Sequence, residues 1–182
     1  NGSWFRVAND FAAEVNNYVV GIRTCDLDIP EVPEGLDEPA YNRYVPTVDP
    51  EIANMDRIEA RVADETYGVE FCDLLSRSNH LIHVKRWSSS STMSHLFNQG
   101  LVSARALLSD AAFRERVSQR IPPSHRAIAE LISAGRPQSS GFEVVYAIIH
   151  KNRNTQPAEL PFFTKLCLKQ ACTQLDLLGF KY

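Results

Sequence analysis

The chain has 182 residues, of which 44% are hydrophobic and 23% are charged, the composition of an ordinary soluble protein long enough to bury a core. Its net charge of −3 excludes a uniformly basic nucleic-acid coat, so DNA binding would need a local basic face. No apolar stretch approaches the roughly 20 residues of a membrane span, and no signal peptide is visible. We therefore expect a cytoplasmic protein with no membrane partner.

Cysteine spacing gives no indication of a metal site. The four cysteines stand far apart, with neither a C-x-x-C pair nor a Cys/His ligand spacing: Cys25, Cys72, Cys167 and Cys172. Two of them, at positions 72 and 167, lie in apolar runs, where a thiol typically behaves as a small core residue. We expect reduced thiols, as in most cytosolic proteins, and no zinc site.

Residues 1–50 are predicted to be an N-terminal extension, and residues 51–182 an α/β domain. The extension begins with a short predicted strand at 4–7 and a helix at 11–19, preceded by the capping residues Asn9 and Asp10. Residues 26–50 contain five prolines and many acids, which predicts an extended connector with little regular structure. Within it, residues 38–42 predict a short helix, with Pro39 as the first helical residue.

A predicted β-hairpin organises the rest of the chain. It follows a first core strand, predicted at residues 56–62, and a turn at 64–68. Two apolar runs, 69–75 and 81–87, flank the polar tetrapeptide 76–79, and this layout is typical of two antiparallel strands joined by a short turn.

The hairpin brings an acid, a histidine and a lysine together. With the turn centred on Ser78, Asp73 lies opposite His83 and beside Lys85, since opposite Cβ atoms in an antiparallel pair are about 5 Å apart. A one-residue slip places Glu70 opposite Lys85 instead. Either register makes a carboxylate, an imidazole and an ammonium converge. A purely structural interpretation of the same pattern is a cross-strand ion pair beside a buried core histidine.

A serine run and an amphipathic helix follow the hairpin. Residues 93–108 place apolar side chains on one stripe, which predicts a core-facing helix. Serines such as Ser91 cap helix N-termini, where free backbone N–H groups attract phosphate oxygens. His95 and Gln99, four residues apart, share one helix face and are candidate phosphate-binding or accessory residues. A polar, solvent-exposed face is the alternative interpretation.

The remaining elements complete an α/β pattern. Helices are predicted at 111–120 and at 124–133, the second capped by Ser124 and ended by Gly135. The near-continuous apolar run 142–149 predicts a central strand buried on both faces. A last helix, capped by Thr164 and ended by Gly179, leads into a short strand at 180–182.

An acid on one strand, a short hairpin, then x-Lys-Arg-Trp and a helix resemble the PD-(D/E)XK restriction-endonuclease-like superfamily, in particular its Mrr-like branch. The resemblance implies a mixed sheet flanked by helices with an α-β-β-β-α-β core. It matches Asp73 to the metal-binding Asp and Lys85 to the catalytic Lys, with His83 in the position of the second acid. Related nucleases often place a further Glu on the helix before the sheet, which makes Glu38 an accessory candidate.

The string LIHVKRW…SHLFNQGLVSA also resembles a sporadically distributed family of bacterial proteins of unknown function, often placed near phage-defence or mobile loci. Further segments carry the same resemblance: residues 2–5, 38–42, 142–149 and 160–163. Members of that family are usually longer, and this chain starts at Asn1 rather than at a Met. We therefore expect it to be their C-terminal part, with an upstream domain in the full-length protein.

Together these features predict a metal-dependent DNA nuclease, with double-stranded DNA as its partner, and with self-association as a further expectation. Asp73, with Glu70, would hold Mg²⁺ or Mn²⁺ through oxygen ligands. Lys85 would orient water or neutralise the phosphate, and His83 would act as a general base or favour Mn²⁺. The alternatives are a non-catalytic nucleic-acid-binding or assembly domain, and a protein-interaction domain that docks through the proline-rich acidic stretch.

Overall fold

A mixed four-stranded sheet carries the fold in this computed structural model, which describes residues 7–56, 59–61, 68–150 and 157–182. Its strands are β1 (Ile52–Asn54), β4 (Leu74–Ser76), β5 (His80–Arg86) and β6 (Glu143–Ile149), side by side in the order β1-β4-β5-β6. The first two junctions are antiparallel and the last is parallel. Two further strands, β2 (Glu59–Arg61) and β3 (Gly68–Glu70), pair separately as an antiparallel ribbon.

The predicted hairpin is confirmed as β4 and β5. Leu74 pairs with Ile82 and Leu75 with Leu81, which is the register centred on Ser78 that brings Asp73 opposite His83. Asn79 closes the turn with φ of 65°, a left-handed conformation that Asn tolerates better than most residues. The predicted first arm is interrupted, however, because residues 71–73 separate β3 from β4.

Helices cover both faces of the sheet. On one face lies α2 (Glu38–Val48), whose Tyr41 and Val45 pack with Ile82, Val84 and Val145. The other face lies under α3 (Ser90–Ser109) and α6 (Phe162–Leu178), with α3 contributing much of the core. Consecutive residues of β5 and β6 therefore serve different cores, as alternation along a strand requires.

The other three helices pack around this framework. Helix α1 (Asn9–Val20) lies against α6 and buries Val15 and Val19. Helices α4 (Ala111–Ser118) and α5 (Arg126–Ser133) contact each other beyond the end of α3. Short 3₁₀ turns complete the described structure at Pro123–His125, Ser139–Gly141 and Pro157–Glu159. The six helices and the mixed sheet of the described residues confirm the predicted α/β class.

Helix α3 approaches β6 closely at Gly100. A Cβ atom on this glycine would lie 2.7 Å from Cε1 of Tyr146, well inside van der Waals contact. The Tyr146 hydroxyl donates a hydrogen bond to the carbonyl of Phe97, one turn earlier in α3 (3.0 Å). The missing side chain at position 100 thus lets α3 lie flat against the sheet and fixes its depth.

Two predicted strands are placed differently in the structure. The first strand of the sheet is β1, which begins shortly after Pro50, and not the predicted segment 56–62. All three residues of β1 pair with the antiparallel partner β4. Part of the predicted segment forms β2, which pairs with β3 instead. The predicted central strand β6 lies at the edge of the sheet, joined on its outer side by a bridge to Lys181. Its apolar run reflects the two covered faces, not a central position.

Three predicted helix caps are wrong. Helix α1 begins at Asn9 itself, α5 begins after His125, and α6 begins at Phe162, each without a capping side chain in the described structure. Thr164 is fully buried inside α6. By contrast, α2 is longer than predicted and continues through Pro46 to Val48, with Asp37 as its cap.

Some predictions fall outside the described residues. These include most of the strand at 4–7 and of the turn at 64–68. The boundary between a 1–50 extension and a 51–182 domain also stays a prediction. Among the residues that the structure describes, no helix has the length and apolarity needed to cross a membrane.

Candidate functional site

Three carboxylates converge where β1 ends and β4 begins. Oxygens of Asp56, Glu70 and Asp73 lie within 4.8 Å of one another, and we call these three residues the acid cluster. Antiparallel pairing explains the convergence, since the end of β1 lies beside the start of β4, and the Met55 N–H donates to the Asp73 carbonyl (2.8 Å). Glu70 is the last residue of the neighbouring strand β3.

Asp73 is the most buried member of the acid cluster. Its residue is 8% exposed, and its Oδ2 accepts a hydrogen bond from the Val84 N–H of β5 (2.7 Å). The pKa of Asp73 is raised to about 7, chiefly by burial and also by the negative charges of Glu70, Asp56 and Glu38, while the Val84 hydrogen bond acts to lower it. A divalent ion bound among these carboxylates would relieve their repulsion and lower that pKa.

Lys85 and Glu38 form an ion pair whose carboxylate is near enough to the acid cluster to raise the pKa of Asp73. Nζ of Lys85 lies 2.7 Å from Oε1 of Glu38, and Oε2 of Glu38 accepts the N–H of Arg86 (3.1 Å). Helix α2 presents Glu38 from its first turn, because Asp37 caps that helix by accepting the Ala40 N–H (2.8 Å). Glu38 therefore joins α2 to the end of β5 and holds the lysine in place.

Helix α3 supports the acid cluster from the other face. Nε2 of Gln99 donates to Oε2 of Glu70 (3.3 Å). One turn later, the buried Ser103 hydroxyl donates to the carbonyl of Phe71. Because Glu70 and Phe71 are adjacent, α3 fixes both the acid and the backbone leading to Asp73. The sequence analysis did not predict Ser103 as a site residue, since a serine inside an apolar helix stripe gives no functional signal.

His83 lies buried in the middle of β5. It is 2% exposed, and its Nε2 has no hydrogen-bond partner in the described part of the chain. Its ring lies 6.3 Å from the ring of Tyr146, measured between centroids. Burial lowers the pKa of His83 to about 4, so the imidazole is neutral at neutral pH.

The structure thus brings together five of the eight residues predicted for the site: Asp73, Glu70, Lys85, Glu38 and Gln99. His83 lies in the core under α3. Ser91 and His95 are exposed on α3, and Ser89 rather than Ser91 caps that helix by accepting the Thr92 N–H (3.2 Å).

Asp56 is the member of the acid cluster that the sequence analysis missed. The sequence pattern predicts it as the first residue of a strand, whereas it lies two residues beyond the end of β1. A three-residue strand shortly after Pro50 is a weak signal, but its recognition would have placed Asp56 beside Asp73.

The acid cluster has the chemistry of a hard-cation site. Carboxylate oxygens are the ligands that Mg²⁺ and Mn²⁺ prefer, and three of them are close enough to share one ion after small side-chain movements. The donor set therefore fits either ion, and Asp56 adds a ligand to the predicted pair of Asp73 and Glu70.

Comparisons with known proteins give a family and no activity. No curated protein and no solved structure matches the chain. The resemblance to the PD-(D/E)XK superfamily stays a prediction. The model of a family of unknown function, DUF6119, matches residues 1–182. The chain therefore belongs to this family of unknown function.

Proposed function

We propose that the protein is a metal-dependent DNA nuclease, whose site is the acid cluster together with Lys85 and Glu38. The observation that carries this proposal is the convergence of three carboxylates within 4.8 Å, beside a lysine whose ammonium is positioned by a fourth. A cross-strand ion pair alone would explain the lysine and one acid. It would not explain why three further carboxylates converge on one another against their mutual repulsion, near enough to Glu38 for its charge to raise the pKa of Asp73.

The order of elements also supports the proposal. With the β2–β3 ribbon and the two helices α4 and α5 between α3 and β6 set aside, the order along the chain is α2, β1, β4, β5, α3, β6. This is the helix, three strands, helix, strand order that the nuclease resemblance implies. The ribbon of β2 and β3 is inserted between the first two strands of the sheet. The insertion brings Glu70 to the acid cluster.

Each residue has a distinct task in phosphodiester hydrolysis, which requires charge neutralisation, a deprotonated water and alignment. Asp56, Glu70 and Asp73 would hold Mg²⁺ or Mn²⁺, which when bound would supply charge neutralisation at the phosphate and a lowered pKa of water. Lys85 donates to a phosphate oxygen or orients the attacking water, and Glu38 positions Lys85 for this purpose. Gln99 holds Glu70 in a fixed orientation.

Asp56 takes over the role of the second acid, whose place in the sequence pattern is occupied by His83. In the proposed site, the carboxylate that His83 does not supply comes from Asp56, which approaches from the end of β1. His83 then has no catalytic task, in agreement with its burial and with an Nε2 that lacks a partner among the described residues.

Cleavage of supercoiled plasmid DNA with Mg²⁺ or Mn²⁺ tests the proposal. Wild type is expected to nick or linearise the plasmid, whereas Asp73→Ala and Lys85→Ala lose the activity. Glu130→Gln and Lys169→Ala serve as charge-matched controls, because both residues form ion pairs on α5 and α6, away from the site. Equal activity in all five proteins would remove these roles.

A non-catalytic nucleic-acid-binding domain is the second candidate. It is favoured by the missing acid at position 83 and by the net charge of −3. Retention of DNA without cleavage, with an affinity that falls as salt rises, would select it.

A further inference from the structure

A second group of potential ligands lies at the opposite end of β5. Sγ of Cys25, a ring nitrogen of His80 and a carboxylate oxygen of Glu143 lie within 4.8 Å of one another. Cys25 belongs to the connection between α1 and α2, residues 21–37, whereas His80 and Glu143 are the first residues of β5 and β6. The two strand residues are register partners in the parallel pair, so their side chains project from the same face.

Neighbouring groups orient the histidine and the glutamate toward one point. The Ser76 hydroxyl is 2.6 Å from Nδ1 of His80, which leaves Nε2 directed at Oε2 of Glu143, 3.9 Å away. The other carboxylate oxygen, Oε1, accepts a hydrogen bond from Arg23 (2.5 Å). Metal-binding histidines and carboxylates in proteins typically have such supporting hydrogen bonds on the atom that does not bind the metal.

The arrangement differs from a catalytic cysteine–histidine–acid relay. In a relay, the nucleophile and the acid bond to opposite nitrogens of the imidazole. Here Ser76 occupies Nδ1 and the carboxylate faces Nε2 on the other side of the ring, while the thiol lies within 4.8 Å of both groups. Three donors that meet at one point, rather than in a line, are typical of a metal centre.

We propose that Cys25, His80 and Glu143 bind a zinc ion, with a fourth position left for water or another ligand. Thiolate, imidazole and carboxylate are the ligand types of protein zinc sites, with bonds of about 2.0–2.3 Å. A tetrahedral centre with these bonds sets its ligand atoms roughly 3.3–3.7 Å apart, so small side-chain rotations close the present spacing. The thiolate and the carboxylate balance the charge of the ion.

The site would join three separate parts of the chain. The ion connects the 21–37 connection to the starts of β5 and β6, and that connection leads directly into Glu38 at the start of α2. It is distinct from the acid cluster, because Asp73 lies opposite His83, which is three residues from His80, or about 10 Å along an extended strand. Sequence spacing does not reveal it, since the ligands are 55 and 63 positions apart.

Cobalt(II), which replaces zinc in such sites and reports thiolate ligation by near-ultraviolet charge-transfer absorption, is the probe. The reduced, chelator-treated 182-residue chain is titrated with Co²⁺ and then with Zn²⁺. We expect one equivalent of Co²⁺ to produce the thiolate band and Zn²⁺ to abolish it. Cys25→Ser should eliminate the band, and His80→Ala should weaken Co²⁺ binding about 10-fold or more.

Two variants separate this site from other effects. Cys167→Ser alters the other half-buried cysteine and should keep the band unchanged. Asp73→Asn disables the acid cluster and should also keep it, so loss of nuclease activity and loss of the zinc site can be told apart. A folded wild type without the band, or a band that persists in Cys25→Ser, would overturn the proposal.

Discussion

The two ends of β5 lie in opposite chemical environments. At its start, His80 meets a thiol, a carboxylate and a serine hydroxyl that orients its ring. At its end, Lys85 is held by Glu38 beside three carboxylates. In between, His83 is buried, with one nitrogen unpaired within the described structure. Neighbouring segments, more than β5 itself, therefore decide what each side chain can do. Hard oxygen ligands gather at one end of the strand, and a mixed sulfur, nitrogen and oxygen set gathers at the other.

We expect the largest effect from replacing Asp56, which tests whether the acid cluster at the end of β5 depends on a residue that follows β1. Asp56→Asn removes one carboxylate charge from the acid cluster, and we expect about a 1,000-fold loss of plasmid cleavage, roughly 4 kcal/mol of barrier. The Co²⁺ band at the other end of β5 should remain. Asp49→Asn is the matched control, because Asp49 precedes β1 and accepts the Glu51 N–H instead. Equal losses in both variants would contradict a specific role for Asp56.

The pH dependence of stability distinguishes the acid end from the buried histidine. Asp73 has a raised folded pKa of about 7. Its contribution to the free energy of unfolding is therefore complete below pH 4 and is lost as pH rises through 7. His83 has a lowered folded pKa of about 4, so its contribution is present above pH 6.5 and is lost as pH falls through 4. The two oppose each other between pH 4 and 7, where a tenfold difference in proton affinity between the folded and unfolded chain corresponds to about 1.4 kcal/mol.

Urea unfolding in a chelating buffer measures this opposition. Asp73→Asn should leave the His83 effect uncompensated, so that, relative to wild type, its free energy of unfolding rises by roughly 4 kcal/mol from pH 4 to 7. Glu130→Gln, on the exposed face of α5, should follow the wild-type profile. Parallel profiles for Asp73→Asn and wild type would mean that Asp73 titrates normally.

We expect a smaller effect from Glu38→Gln, which tests whether Glu38 positions Lys85. Glu38→Gln removes the charge that holds Nζ of Lys85 while preserving the shape of the side chain. We expect cleavage to fall about 10–100-fold, as for other supporting residues around metal sites. The loss should appear in kcat, with the Mn²⁺ affinity nearly unchanged. A variant with wild-type kcat would show that Lys85 needs no such partner.

The smallest effect concerns the middle of β5. His83→Leu removes a buried nitrogen that lacks a partner among the described residues, and leucine fits a similar volume beside Tyr146. The free energy of unfolding at pH 7 should rise by about 1 kcal/mol, since an unsatisfied buried group costs about that much or more. A destabilised variant, measured by the same urea titration, would show that the imidazole has a partner in solution.

The sequence predicted those parts of the site that depend on local pairing. The turn centred on Ser78 determines the hairpin register, so the position of Asp73 opposite His83 followed directly. Glu38 came from resemblance, and the structure places its carboxylate on Lys85. In both cases, the relevant residues lie on elements with a clear pattern or motif.

Other features depend on contacts between distant segments. Asp56 was missed because β1 has only three residues, too few for a periodic signal. The burial of His83 depends on how closely α3 approaches β6, which Gly100 and Tyr146 set together. The edge position of β6 also could not be predicted from the sequence, since helices on both faces of the sheet give an edge strand the apolar composition of a central strand.

Mn²⁺ binding to the acid cluster is the most direct test of the central claim, that three carboxylates at the end of β1 and the start of β4 hold a divalent ion. Calorimetric titration at about pH 8, above the folded pKa of Asp73, should show one Mn²⁺ bound in a Cys25→Ser background that removes the second site. Asp73→Asn in the same background should weaken this binding at least about 10-fold. Identical affinities with and without Asp73→Asn would contradict the account.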